Sequence, residues 1–236
     1  MKYACSIEAN DILDNGFDLS KYQGLNIELN FYKGFDVKHL DIRSKLNGNN
    51  IEITSVHAPT LAFSNQNLLK VLECIKGQYG TMPMALHPTK ADAIKERKAL
   101  DDQAEAIQKF GLQICIENFP DPSERWIHKP KDLYRLAQEF PFLGITYDFS
   151  HADEFAGPRQ DLSYVADKTG IIHLSNRIIK PGEKWQLHLP YKRGDFDLDE
   201  MLINLSDIGF KGCFVLEYDK TYEAEIIADC RELMER

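Results

Sequence analysis

Apolar residues recur along this chain in two alternating patterns. Short apolar runs, several with a polar residue at every second place, give way to longer stretches where apolar residues return every three or four positions. The first pattern predicts strands and the second helices. Strands are expected over 1–9 (MKYACSIEA), 24–31 (GLNIELNF), 51–57 (IEITSVH), 82–87 (MPMALH), 112–118, 144–149, 170–175 and 213–218. Helices are expected over 65–76, 90–110, 130–140, 162–168, 198–208 and 221–234, with weaker helical spacing at 18–22 and 36–46. In the long helix, Ile94, Leu100, Ala104, Ile107 and Phe110 are expected to face the core, and Gly111 to end it. The stretch 176–195 is polar and is expected to be a long loop without regular structure.

Eight strands alternating with helices predict a parallel sheet. In a chain of 236 residues that count fits a single (β/α)8 TIM barrel, one domain over 1–236. A doubly wound open sheet is the alternative, but no glycine-rich GxGxxG turn follows the first strand and there is no P-loop. In a barrel, catalytic groups sit at the C-terminal ends of the strands. Six of the eight predicted strands end at or near a metal-capable residue: His57, His87, Glu117, Asp148, His173 and Glu217. Because side chains alternate across a strand, Glu117 shares a face with Gln113 and Cys115, Asp148 with Thr146, and Glu217 with Cys213 and Val215. Each candidate can therefore point inwards.

Taken singly, each residue has an ordinary explanation. Asp148 could cap the next helix, and a lone histidine or glutamate after a strand is commonly structural. Repetition at one rim argues otherwise. Of seven histidines, five (57, 87, 151, 173 and 188) lie at or near these ends, whereas His39 and His128 read as surface residues. An unpaired buried carboxylate costs several kcal/mol, so buried acids here call for a partner, and a metal ion supplies one.

Composition narrows the partners. No apolar run is long enough to span a membrane, and residues 1–10 lack a signal-peptide pattern. The five cysteines form no CxxC pair and read as reduced core residues, so a cytoplasmic protein is expected. The net charge of −9 opposes broad attraction to nucleic acid.

The segments HAP (57–59), LHP (86–88), IENFP (116–120), YDFSHA (147–152), HLS (173–175), HLPYKRGDFD (188–197) and LEYD (216–219) complete the picture. As an ordered set, they resemble the xylose isomerase-like barrel superfamily, which holds sugar isomerases and epimerases and the endonuclease IV class of DNA-repair nucleases. The likeness runs from the third strand to the eighth. In its epimerase-like members a Glu, an Asp, a His and a second Glu hold one divalent metal, and the matching positions are Glu117, Asp148, His173 and Glu217. That mixed oxygen and nitrogen set suits Mn²⁺ or Zn²⁺ first, with Mg²⁺ or Co²⁺ as further options. Glu117 and Glu217 are then the proton-transfer pair. His57, His87, His151, His188 and Arg177 are expected to contact substrate.

In the nuclease class, the resemblance implies three zinc ions held by the same four ligands plus histidines matching 57, 87, 151 and 188. One position departs, since an Asp ligand there is Gln186 here. Gripping DNA would also need phosphate contacts from the rim bases Lys90, Arg125, Arg177, Lys180, Lys184, Lys192 and Arg193, a set interrupted by Glu183. Phe119, Trp126, Trp185 and Tyr191 could supply an apolar wall for a sugar. The expectation is thus a metal-dependent sugar isomerase or epimerase acting on a small sugar or polyol, with oligomeric state left open. An endonuclease IV-like hydrolase and a non-catalytic barrel relative are the alternatives.

Overall fold

The computed structural model describes residues 2–14, 16–32, 42–120, 125–152, 157–180 and 182–236. His39 and the first part of the 36–46 stretch lie outside the described residues. The strands are β1 (Lys2–Glu8), β2 (Asn26–Asn30), β3 (Glu52–His57), β4 (Pro83–Leu86), β5 (Gln113–Glu117), β6 (Leu143–Asp148), β7 (Thr169–His173), β8 (Asn176–Ile178), β9 (Gln186–Leu189) and β10 (Cys213–Leu216). The helices are α1 (Ala9–Leu13), α2 (Ile42–Asn47), α3 (Leu68–Tyr79), α4 (Ala93–Phe110), α5 (Pro130–Glu139), α6 (Gly157–Val165), α7 (Leu198–Asp207) and α8 (Glu223–Glu235). Eight parallel strands close into a barrel in the order β1-β10-β7-β6-β5-β4-β3-β2, the expected (β/α)8 architecture.

The two faces of each barrel strand pack into different cores. Ile27 and Leu29 of β2 and Ile114 and Ile116 of β5 point outwards into the main apolar core. Burying each such side chain contributes about 1.5–3 kcal/mol. Inside the barrel a smaller cluster forms from Ala4, Ala85, Cys115, Ile171, Cys213 and Val215. At the N-terminal end the interior is tight. A Cβ on Gly170 would sit 2.8 Å from Cys115 Sγ and 2.9 Å from Gln113 Oε1. Small residues at this floor leave room for Gln113, while the opposite rim carries the polar groups.

Two expectations change. Segment 176–195 is not structureless, because β8 and β9 pair antiparallel within it. Asn176 fastens this hairpin: its Nδ2 donates to the carbonyls of Tyr191 (3.0 Å) and Phe196 (2.8 Å), and its Oδ1 accepts from Arg177 N (2.9 Å). Gly194 packs so closely that a Cβ there would lie 2.3 Å from Asn176 Oδ1. The second change is Ile94, which is 81% exposed rather than in the core. α4 begins only at Ala93, capped by Asp92, whose side chain accepts from Lys95 N at 2.8 Å. Ile94 precedes Leu100 by six residues and so lies about 120° round the helix from the buried stripe. The C-terminal stop is as expected, with Gly111 left-handed at φ 64°.

Glu96, on the same helix, is a buried charge that the apolar pattern does not reveal. It accepts from the backbone amides of Phe63 (2.6 Å) and Ser64 (3.3 Å) and from the Ser64 hydroxyl. A carboxylate stapled this way holds the loop after β3 against α4 and offsets its own desolvation.

Candidate metal centre

Strand register brings the rim residues together. Asp148 of β6 is the register partner of His173 of β7, and Val215, two residues before Glu217, also pairs with His173. Glu117 ends β5 opposite Thr146. One ligand atom from each of Glu117, Asp148, His173 and Glu217 lies within 4.8 Å of the others. Glu117, Asp148 and His173 are fully buried. Glu217 is the partial exception, its side chain 18% exposed.

The orientations are set by hydrogen bonds behind the site. Asp148 Oδ1 accepts from Ser150 N (2.6 Å) and from the Ser175 hydroxyl (3.3 Å), which leaves Oδ2 facing inwards. Asn118 braces the same strand end, accepting from Asp148 N at 2.7 Å and donating to Asp148 O at 3.0 Å. Both oxygens of Glu117, Asp148 Oδ2 and His173 Nδ1 are buried without a hydrogen-bond partner. Buried polar atoms are normally satisfied, so their convergence on one point fits a cation bound among them.

The other histidines complete a larger array. His57 Nε2 and His87 Nε2 lie 3.1 Å apart, and they are 3.4 and 3.1 Å from Glu117 Oε2. His57 Nδ1 faces the Ala58 carbonyl at 3.1 Å, which turns Nε2 towards the carboxylate. His151 Nδ1 lies 3.2 Å from Glu117 Oε1 and 3.5 Å from Asp148 Oδ2. His188 Nδ1 lies 3.8 Å from Asp148 Oδ2. It is delivered by β9 with φ 54°, a conformation uncommon for a non-glycine residue and found often at functional sites. Among the described residues, two further ligand groups result: His57, His87 and Glu117, and Asp148, His151 and His188.

Without a cation, the carboxylates and imidazoles stabilise each other's charges. Burial pushes Glu117 upwards, but the imidazoles of His87, His173 and His151 outweigh it and hold the carboxyl well below the usual range. Burial likewise opposes the charged form of Glu217, and His173 and His188 bring it down. Burial lowers His151, yet Asp148 and Glu117 carry it up to about 9. His173 is raised against its burial by Glu217, Glu28 and Glu117. His87 moves the other way, lowered mainly by burial.

Arg177 occupies a different place from the other expected contacts. It is only 2% exposed. Its guanidinium donates to the carbonyls of Ser150 (3.3 Å) and Ala152 and lies between the rings of Trp185 and Phe196, at 5.0 and 4.8 Å. It ties the turn that carries His151 to the hairpin that carries His188. Gln186 is exposed on β9. The rim cations Lys180, Lys192 and Arg193 are paired with Glu183, Glu232 and Glu225. A cavity of about 300 Å³ opens beside Glu217, bordered by Ser6, Glu8, Asn30, Tyr218 and Lys220.

A family model described as xylose isomerase-like TIM barrel matches residues 27–235. The chain belongs to the xylose isomerase-like TIM barrel family. Within that family's fold it is similar to a D-tagatose 3-epimerase-like protein, with a TM-score of 0.73 at 18% identity over 100% of this chain and 96% of the other. It is also similar to the 3-keto-D-glucoside 4-epimerase YcjR from E. coli, at TM-score 0.67 and 16% identity, covering 100% of this chain and 99% of that one. In sequence, it is 28% identical to the uncharacterized protein MJ1188 of Methanocaldococcus jannaschii over 217 residues, 90% of this chain and 76% of that protein. Among the described residues no helix is long and apolar enough to cross a membrane.

Proposed function

We propose that this xylose isomerase-like barrel is a metal-dependent sugar isomerase or epimerase. The observation that carries the reading is the convergence of buried Glu117, Asp148 and His173 with the partly exposed Glu217 at the C-terminal mouth of the barrel. These four would hold one divalent ion, Mn²⁺ or Zn²⁺ by ligand type. When bound, such an ion supplies Lewis-acid polarisation of a sugar carbonyl and its neighbouring hydroxyl. The proton chemistry belongs to the chain. Glu117 and Glu217 are the two carboxylates that would take a proton from carbon and return it, with His57, His87, His151 and His188 orienting hydroxyls around them. The cavity beside Glu217 is of a size for a small polyol.

One observation favours a second reading, a multi-metal phosphodiester hydrolase. The two outer ligand groups share Glu117 and Asp148 with the central one, as clustered metals require. Against it stand the exposed amide of Gln186 and the rim cations already paired with carboxylates. A backbone-gripping groove needs unpaired cations. The test is solvent-deuterium incorporation into a panel of free ketoses and aldoses, run beside cleavage of a duplex carrying one abasic site. Exchange that disappears in Glu117→Gln and Glu217→Gln is expected. Metal-dependent nicking of the duplex, with no exchange into any sugar, overturns the ranking.

A further inference from the structure

The cavity of about 300 Å³ beside Glu217 opens where β1, β2 and β10 end, at the same mouth as the ligand cluster. Part of its lining is apolar. Phe17 and Tyr22 stack there with ring centroids 5.6 Å apart and planes inclined by 21°. The charged part is nearly all acid. Besides Glu217, the carboxylates of Glu8, Asp11, Asp219 and Glu223 line it, and among the described lining residues Lys220 supplies the one cation. That ammonium is committed, since Nζ lies 2.8 Å from Asp11 Oδ2 and 3.4 Å from Glu8 Oε1. Glu223 Oε1 lies 3.4 Å from Lys21 Nζ and accepts from the Tyr22 hydroxyl at 3.4 Å.

This lining suits hydroxyls and repels anions. In (β/α)8 barrels a phosphate group is frequently held by the loops after the seventh and eighth barrel strands and by a helix N-terminus there. The corresponding strands here are β7 and β10. After β10, α8 carries Glu223 and Glu225 in its first turn, so the chain's own carboxylates take the positive end of that helix. In the connection after β7, Lys192 and Arg193 are paired with Glu232 and Glu225. A phosphate dianion in the cavity would meet like charges and no uncommitted Lys or Arg among the described lining residues. A hydroxyl meets the reverse. An ionised carboxylate has about four acceptor sites, more than the contacts above use, and each O–H of a polyol is a donor for one. The stacked rings offer an apolar surface for the C–H face. We infer that the cavity receives the part of the sugar extending past Glu217, and that the substrate class is an uncharged, unphosphorylated sugar or polyol rather than a sugar phosphate. The inference rests on the isomerase or epimerase reading above for its reaction, though not for binding. Like-charge placement of this kind should disfavour the phosphate by at least about 100-fold.

The test reads binding apart from turnover. Backbone amide shifts of ¹⁵N-labelled protein with Zn²⁺ added are followed on titration with D-fructose, D-tagatose, their 6-phosphates and inorganic phosphate. The free sugars should move the amides of Asp11, Phe17 and Glu223. At the same concentrations the 6-phosphates and inorganic phosphate should leave those amides in place. Glu223→Gln removes one carboxylate from the wall and takes from Lys21 this partner, so it should narrow the gap between sugar and 6-phosphate by about tenfold. Glu223→Lys should narrow it further, and the glutamine variant keeps the assay readable should the lysine variant not fold. A Glu223 that served only to hold the helix would weaken both ligands alike and leave their ratio unmoved. A 6-phosphate that binds the parent cavity as tightly as the free sugar overturns the inference. So does a ratio unchanged in both variants, and so does a cavity that neither kind of sugar reaches. Free sugars that bind there without any solvent-deuterium exchange support the cavity's assignment and overturn the isomerase or epimerase reading instead.

Discussion

Glu117 is the hub of the site, and Glu117→Gln is the substitution whose consequences can be worked furthest. Its two oxygens lie 3.1–3.5 Å from nitrogens of four histidines: His57 (3.4 Å), His87 (3.1 Å), His151 (3.2 Å) and His173 (3.5 Å). In chelated protein, these contacts are linked to protonation. His151 rises from its ordinary 6.5 to about 9, against its burial, through Asp148 and Glu117. A histidine raised in the folded state contributes stability that is fully present below about pH 6.5 and is lost as pH climbs through about 9. At pH 7 that shift corresponds to about 2.5 kcal/mol. Asp148 carries part of it, while His173, also raised, adds in the same direction. The expected cost of Glu117→Gln is therefore about 1–3 kcal/mol near pH 6–7. Above about pH 9 His151 is neutral and the parent keeps a buried anion beside it. The neutral amide then costs less, and the gap between the two stability curves narrows.

Urea unfolding of chelated parent and Glu117→Gln at pH 6, 7, 8, 9 and 10 measures this gap directly. Adding Zn²⁺ or Mn²⁺ at about a hundred times its dissociation constant should stabilise the parent by about 2.7 kcal/mol. Most of that increment should vanish in Glu117→Gln. A gap that stays constant from pH 6 to 10 refutes the electrostatic account of the Glu117–His151 contact. An equal metal increment in both proteins removes Glu117 from the ligand set.

Elemental analysis of protein purified without chelator should find at least one divalent ion, strongly reduced in Glu217→Gln and unchanged in His128→Ala, whose residue lies outside every ligand group. Equal retention in both variants would strike Glu217 from the site. At the barrel floor, Gly170→Ala should destabilise by about 1–3 kcal/mol, because the new methyl meets Cys115 Sγ at 2.8 Å and Gln113 Oε1 at 2.9 Å. An unfolding midpoint equal to the parent's would show that Gln113 moves aside without cost.

The rim cluster was legible because a strand alternates with period two and a parallel barrel presents one end of every strand to the same mouth. Those are local facts plus one topological rule. His57, Glu117, Asp148, His173 and Glu217 could therefore be placed by counting along each strand. What lay beyond sequence reading depends on contacts between distant residues. Glu223 is unremarkable in the last helix, and becomes informative only when closure of the barrel sets it in one cavity with Glu8 and Asp11. The hairpin in 176–195 has no strong apolar period, and is held by Asn176 reaching the carbonyls of Tyr191 and Phe196. Arg177 carries the charge expected of a rim contact, yet its neighbours Ser150, Ala152, Trp185 and Phe196 draw it into the interior. Ile94 and Glu96 exchange the places their polarity suggests, because the cap at Asp92 sets the helical phase and the loop at Phe63 and Ser64 supplies the amides that a buried carboxylate needs. Local period determines which residue types reach the mouth of the barrel. Packing across the chain decides which of them are turned towards the site and which serve to hold it in place.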